Sequence, residues 1–151
     1  MLTKKEKEFL EKKIKKIEST NQKITILLTE KLSIDLENKS VIKKDFKQKI
    51  TKCEKDIFYL YNLANDMWFL AGDKSTDYNF YTKRLILSGI LSKLYFKIFT
   101  LKNYNLEDLK EDIKNEIKNV GKFNKLKSQF ISFIKNMKGL GNQKNNTGRG
   151  Y

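Results

Sequence analysis

Residues 66–84 read DMWFLAGDKSTDYNFYTKR. They hold the only Trp of the chain, Trp68, its first Gly, Gly72, and one of its two Arg, Arg84. Most of what precedes them is Lys, Ile, Leu, Asn and Glu. The middle of the stretch, GDKST, interrupts a helical pattern on both sides. Gly72 suits the left-handed position just past a helix end. Ser75, Thr76 or Asp77 can cap the helix that follows. The spacing predicts one long helix over 42–71, apolar at Phe46, Ile50, Cys53, Ile57, Leu60, Tyr61, Ala64, Met67, Trp68 and Ala71. It predicts a second over 77–100. There Tyr81, Leu85, Ser88, Ser92 and Tyr95 share one stripe, and Phe80, Leu87, Leu91, Leu94 and Ile98 lie on others. A helix apolar over so much of its circumference reads as central. Ser88, Gly89 and Ser92 are small enough to permit close helix approach.

Working outward, residues 3–18 read as a helix with Phe9, Leu10, Ile14 and Ile17 on one face, and Thr3 with Glu6 forms a capping box. Asn21 can cap a second helix carrying Ile24, Leu27, Leu28 and Leu32. DLENKS, 35–40, is a polar break. NLEDL, 105–109, opens another helix, with Asn105 as cap, Asp108 three later, and a stripe of Leu106, Leu109, Ile113, Ile117 and Val120. The expected fold is all-α. Pro is absent, which argues against an all-β chain dependent on turns. The division expected is a helical domain over 1–121, an amphipathic helix over 122–138 and a disordered tail over 139–151.

Composition narrows the chemistry. A length of 151 residues suggests one domain. His is absent and Cys53 is the single cysteine. An internal disulfide is excluded, zinc is disfavoured, and nucleophilic catalysis assisted by His is ruled out. No catalytic residue, metal site or cofactor emerges. No apolar run approaches the roughly 20 residues that cross a bilayer. The charged N-terminus, MLTKKEKEFLEKK, lacks the apolar stretch of a signal peptide. The expectation is a cytoplasmic protein, peripheral on the inner membrane, or one on the matrix face if mitochondrial.

Net charge is +14, from 30 Lys and 2 Arg against 18 acids. Richness in Lys, Ile and Asn is also what AT-rich codons would give. The distribution says more: after Glu116 there is no acid, while seven Lys and Arg149 follow. That end suits an anionic partner, lipid or nucleic acid. In KFNKLKSQFISFIKNMK, 122–138, one face carries Phe123, Leu126, Phe130, Phe133, Ile134 and Met137. Five Lys, including Lys122, Lys125 and Lys127, lie on the other. A helix lying in a membrane interface has this profile. A last helix packed on the core with a solvated Lys face fits the same pattern. The Gly121 hinge and a polar face without Glu favour the membrane. Each Lys near an anionic surface adds about 1 kcal/mol. Nucleic acid is the competing partner, through a Lys-rich helix on phosphates. No tight Gly-containing turn occurs in 1–71, and charges before residue 50 are mixed.

Core packing explains Trp68, Gly72 and Ser75. It does not explain Asp73, Asp77, Lys83 and Arg84 so close together. Arg offers a planar fork and stacks on aromatic faces in a way Lys does not. Asp77 and Arg84 stand two turns apart on one helix, with Phe80 and Tyr81 between. Aromatic residues with Arg are enriched at interfaces, so this corner reads as a docking site.

MWFLAGDKSTDYNFYTKRLILSGI, 67–90, closely resembles the signature of the lipid-binding accessory protein family of ubiquinone (coenzyme Q) biosynthesis, the ninth of the eukaryotic coenzyme Q set. Trp68, Phe69, Ala71, Gly72, Asp73, Ser75, Thr76, Asp77, Tyr81, Thr82, Lys83 and Arg84 match its pattern, and Phe80 replaces the usual Trp. NLEDL and the basic amphipathic end are similar to later parts of the family. The resemblance covers about two-thirds of the chain and fades before residue 42, where the family's degenerate helix-turn-helix is missing. It implies a bundle like the ligand-binding part of TetR repressors, an apolar cavity for isoprenoid lipid, a terminal membrane helix and no catalysis. It implies presentation of polyprenylated quinone intermediates to a di-iron hydroxylase, and leaves a homodimer open. The implied partner surface is Met67, Asp77, Phe80, Tyr81 and Arg84. Candidate lipid contacts are Leu60, Ala64, Trp68, Leu85, Leu91 and Tyr95. The alternative is a basic nucleic-acid-binding or regulatory protein with a TetR-like core.

Overall fold

Thr3 starts the first helix as expected. Its hydroxyl accepts from the Glu6 amide, and the Glu6 carboxylate accepts from the Thr3 amide at 2.7 Å. Two of the orphan N–H groups of the helix start are satisfied this way. Thr3→Ala is expected to cost about 1 kcal/mol in urea unfolding; an unchanged midpoint would mean the box is solvent-replaced.

The structure is a computed structural model that describes residues 1–50 and 55–120, with side chains for 1–46, 58–76 and 78–120. Within these residues the chain is all-helical. The helices are α1 (Lys4–Ile14), α2 (Thr20–Glu37), α3 (Lys39–Ile50), α4 (Lys55–Leu70), α5 (Asp77–Thr100) and α6 (106–120). Residues Met1–Glu116 form one compact unit and Ile117–Tyr151 another. The amphipathic segment 122–138 and the tail 139–151 lie outside the described residues.

Helix starts shift slightly from expectation. Ser19, not Asn21, precedes α2, and α2 continues through the polar 35–40 stretch as far as Glu37. Asn38 closes it, its amide and its side-chain nitrogen both donating to the Ile34 carbonyl. Asn105 caps α6: its side-chain oxygen accepts from the amides of Glu107 and Asp108, and Asp108 accepts from the Asn105 amide.

The single helix expected over 42–71 is two helices. Phe46 of α3 and Tyr59 of α4 meet edge to face at 5.5 Å. The intervening run, kept helical, would hold them about 20 Å apart. The chain therefore doubles back between them. The apolar period continues in sequence from one helix into the other, and no Gly or Pro marks the reversal. Phe46 also packs on Tyr95 and Phe99 of α5 at 5.1 and 5.2 Å. From the same helix Lys39 and Lys43 donate to the Leu101 and Phe99 carbonyls. They satisfy acceptors at the α5 end and meet its negative dipole.

The core is built from Leu10 and Ile14 of α1, Leu27, Leu28 and Leu32 of α2, Leu63 and Met67 of α4, Leu87, Leu91, Leu94 and Ile98 of α5, and Leu109 and Ile113 of α6. Full burial of each such side chain contributes about 1.5–3 kcal/mol. One polar chain crosses this core. Glu6 and Asp35 both bind the Lys31 ammonium at 2.8 Å, and the Tyr95 hydroxyl donates to Asp35. Asp66 of α4 holds the N-terminal segment, accepting from the Leu2 amide at 2.9 Å and from Lys7 at 2.8 Å.

Candidate functional site

Helix α4 ends at the turn foreseen from Gly72. The Asp73 amide donates to the Trp68 carbonyl and the Gly72 amide to the Phe69 carbonyl, both at 3.0 Å. This is a Schellman closure, and it requires the left-handed Gly72, with φ +79°. Thr76 then precedes α5, with no side-chain cap bond of its own.

The closure brings the Asp73 carboxylate to the start of α5. It accepts from Lys83 Nζ at 2.7 Å, from Arg84 Nη1 at 3.2 Å, and from the Ser75 hydroxyl and amide. Burial pulls this carboxyl upward, but the bonds from Lys83, Ser75 and Arg84 outweigh it and hold it down at about 2. Arg84 Nε donates to Asn65 Oδ1 at 2.7 Å and Nη1 to the Phe80 carbonyl at 2.9 Å. The guanidinium carbon stands 3.3 Å from the Phe80 ring centroid. Trp68 Nε1 donates to the Lys83 carbonyl at 3.1 Å, and Lys83 Nζ lies 5.1 Å from the Trp68 ring. Phe80 meets Tyr81 edge to face at 5.2 Å. The corner is thus a fixed aromatic surface on a charged frame, suited to binding.

The partner residues read from sequence divide in two. Tyr81 is 60% exposed and Phe80 half-buried, while Met67 and Arg84 are buried. Met67 and Arg84 therefore hold the corner from inside rather than forming its face. The Asp77 side chain lies outside the described ones. Arg84 pairs with Asp73, one turn of loop away, because its helical face points inward. Its spacing shows this: Arg84, Leu87, Leu91, Leu94 and Ile98 step by three and four along the core stripe. Phe69, 75% exposed at the same corner, was not among the expected residues. Its signal was a position on the α4 face opposite Leu63 and Met67.

The lipid candidates differ in burial. Ala64, Leu91 and Tyr95 are packed core, Leu60 and Trp68 are half-buried, and Leu85 faces outward at 58% exposure. Along the α5 stripe, Tyr81, Leu85 and Ser92 are exposed, Ser88 is half-buried and Tyr95 is buried. Two clefts are formed by other residues. One of about 510 Å³ lies between the end of α5 and α6, with Lys97, Tyr104 and Asp112. One of about 650 Å³ is lined by Glu8, Lys12, Lys23 and Leu70. In the first, Lys97 binds both Asp112 oxygens, and burial and then the bond to Asp112 push the Tyr104 hydroxyl up. The membrane residues Phe123, Leu126, Phe130, Phe133, Ile134, Met137, Lys122, Lys125 and Lys127 lie outside the described residues. Among the described residues no three His, Cys, Asp or Glu could hold a metal ion, and no helix is long and apolar enough to cross a membrane.

Residues 55–124 match the family model described as COQ9. The resemblance read from 67–90 is borne out there. The chain is 36% identical over 58 residues to the ubiquinone biosynthesis protein COQ9, mitochondrial, of Bos taurus, covering 38% of this chain and 18% of that protein. The Rattus norvegicus protein of the same name is also 36% identical over 58 residues, with 38% and 19% covered. The Homo sapiens protein is 33% identical over 58 residues, with 38% and 18% covered. The match thus spans about a fifth of the length of these relatives. No solved structure matches the chain.

Proposed function

We propose, from a COQ9 segment over 55–124, that this protein is a non-catalytic component of ubiquinone biosynthesis. In this reading it binds a polyprenylated quinone intermediate at the membrane surface and presents it to a pathway hydroxylase. The observation that carries the reading is the α4–α5 corner, where exposed Phe69 and Tyr81 and half-buried Phe80 stand on the Asp73–Arg84 frame. A polyprenyl tail left in water costs about 0.8 kcal/mol per CH₂, so its substrate stays in the bilayer and a soluble hydroxylase needs it delivered. Of the six candidate lipid residues, Leu60, Trp68 and Leu85 keep surface for a tail. The basic segment 122–138 would hold the protein to anionic lipid. No nucleic acid or cofactor enters this reading.

The test is purification of the tagged full chain from its host, followed by organic extraction and mass spectrometry of lipid and by identification of co-purifying protein. Near-stoichiometric isoprenoid quinone or precursor, together with the di-iron hydroxylase, is the expected result. Tyr81→Ala should keep its melting temperature and lose the hydroxylase at least tenfold, because a central aromatic anchor dominates such contacts. A lipid-free chain would end the presentation reading, and hydroxylase retained at the same level by Tyr81→Ala would end the assignment of the corner.

A further inference from the structure

Helix α3 sits on the bundle differently from its neighbours. Helices α1, α2, α4, α5 and α6 each set buried apolar side chains into the core. Of the α3 side chains described, 39–46, none is buried; Lys39, Ile42, Lys43 and Phe46 are half-buried and the rest are exposed. Phe46 and two lysines tie this helix to α5. The Phe46 ring lies among Tyr59, Tyr95 and Phe99, at 5.5, 5.1 and 5.2 Å. Lys39 and Lys43 donate to the Leu101 and Phe99 carbonyls at 2.7 and 2.8 Å, and water can replace such bonds near the surface. An element with few buried apolar contacts opens locally, ahead of the rest of a fold.

We propose that Phe46 is a displaceable plug, and that the aromatic slot it fills takes an isoprene unit of a polyprenyl tail when α3 lifts. This rests on reading the chain as a binder of polyprenylated lipid. The slot is walled by Tyr95 and Phe99, stacked at 5.7 Å, and by Tyr59, edge-on to Phe46 at 87°. Walls of this kind suit a thin, flat hydrocarbon group, and Phe46 is the resident example. The floor is fixed from the far side. The Tyr95 hydroxyl is spent on Asp35, which Lys31 also holds, so the ring keeps its place when Phe46 leaves. Tyr95 and Phe99 lie about 21 and 27 Å along α5 from Tyr81. The slot is thus separate from the docking corner.

The exchange selects its ligand by apolar area. In the closed form Phe46 is covered and a free tail is wet; in the open form the tail is covered and Phe46 is wet. A tail of several isoprene units removes more apolar surface from water than one ring returns to it, so it lifts α3. A small polar molecule has no such surplus and leaves α3 in place. The slot is therefore a cryptic site, and its apparent affinity is reduced by the fraction of chains in which it stands open.

The experiment is hydrogen exchange of the full chain, followed over 39–46, together with binding of farnesol, a free chain of three isoprene units, by equilibrium dialysis. The α3 amides should exchange at least tenfold faster than those of α2 and α5, by an opening that is not global unfolding. Phe46→Ala vacates the slot and should bind farnesol at least tenfold more tightly than the parent. The double variant Lys39→Ala, Lys43→Ala leaves the rings in place and should quicken both α3 exchange and farnesol uptake. Tyr81→Ala, at the other end of α5, should bind farnesol as the parent does. Melting curves confirm that each variant is folded. Amides of α3 as protected as those of α2 and α5 overturn the proposal, as does farnesol binding that Phe46→Ala leaves unchanged, weakens or does not reveal. Quinone extracted from the full chain alongside farnesol binding indifferent to Phe46 would end the plug and keep the presentation reading. A lipid-free chain whose Phe46→Ala variant binds farnesol more tightly would do the reverse.

Discussion

Arg84→Ala is expected to destabilise the fold by about 3–5 kcal/mol, the loss seen when one partner of a buried pair is removed. The guanidinium is only 3% exposed. Its removal deprives Asn65 Oδ1 of its Nε donor, the Phe80 carbonyl of the bond added to its helical one, and the Phe80 ring of its cation. It leaves Asp73 to Lys83 and Ser75 alone. Arg84→Lys keeps a charge near Asp73 but cannot reach Asn65, Asp73 and Phe80 together, so it should lose about 1–3 kcal/mol. Urea unfolding distinguishes the three proteins. Acid unfolding gives a second readout. The Asp73 carboxyl lies at about 2, below the 3.8 of an ordinary Asp. A depressed carboxyl contributes stability above its unfolded value and loses it as pH falls through its folded value. Here that contribution is about 2 kcal/mol, complete above pH 4 and lost towards pH 2. Arg84→Ala should move the acid transition upward. Near-parental stability at neutral pH would show that Lys83 and Ser75 hold Asp73 without help.

This corner also shows what could be read from the residues alone. Gly72, the capping box at Thr3 and Glu6, the Asn105 cap and the span of α5 were all legible, because each depends on local backbone chemistry. The reversal between α3 and α4 was not, since apolar periodicity measures which face is buried and not whether the chain continues straight. Arg84 was legible in part. Its identity marked the corner, but placing it with Asp77 on a docking face assumed that charge faces solvent, and its place on the Leu87–Leu91–Ile98 stripe said otherwise. Leu85 was read as a lipid contact of the interior because an apolar residue is expected inside, and it is 58% exposed. A helix apolar on two sides carries no label saying which side is core, and only packing against α4 decides it. Phe69 escaped notice for the same reason.

Asp35→Ala should be as damaging as Arg84→Ala, about 3–5 kcal/mol, although no one would mark Asp35 from its surroundings in the sequence. It is 1% exposed, and it binds both Lys31, 5% exposed, and the Tyr95 hydroxyl. Without it the buried ammonium keeps Glu6 alone and the tyrosine hydroxyl loses its acceptor. The network also sets a pH window. Burial lowers the Lys31 ammonium's proton affinity, but Asp35 and Glu6 outweigh it and raise the group above 10.5. Burial, then Asp35, raises Tyr95 well above 10.0. Groups raised on folding contribute fully below their unfolded values and are lost as pH climbs through their folded ones, so stability should decline above about pH 10. Burial raises the Glu6 carboxyl, but Lys31 and Thr3 more than reverse this, so its contribution disappears on the acid side below 4.5. The informative comparison is Lys31→Met, Asp35→Leu, Tyr95→Phe together. Replacing a whole buried ionic network by apolar groups is often neutral or stabilising, and this triple variant should unfold within about 1 kcal/mol of the parent while losing the alkaline decline. If so, the network is there to fix how α1 and α2 dock on α5, and the single-residue loss measures an orphaned charge. A triple variant as weak as Asp35→Ala would instead assign the network a net stabilising role that its desolvation cost argues against.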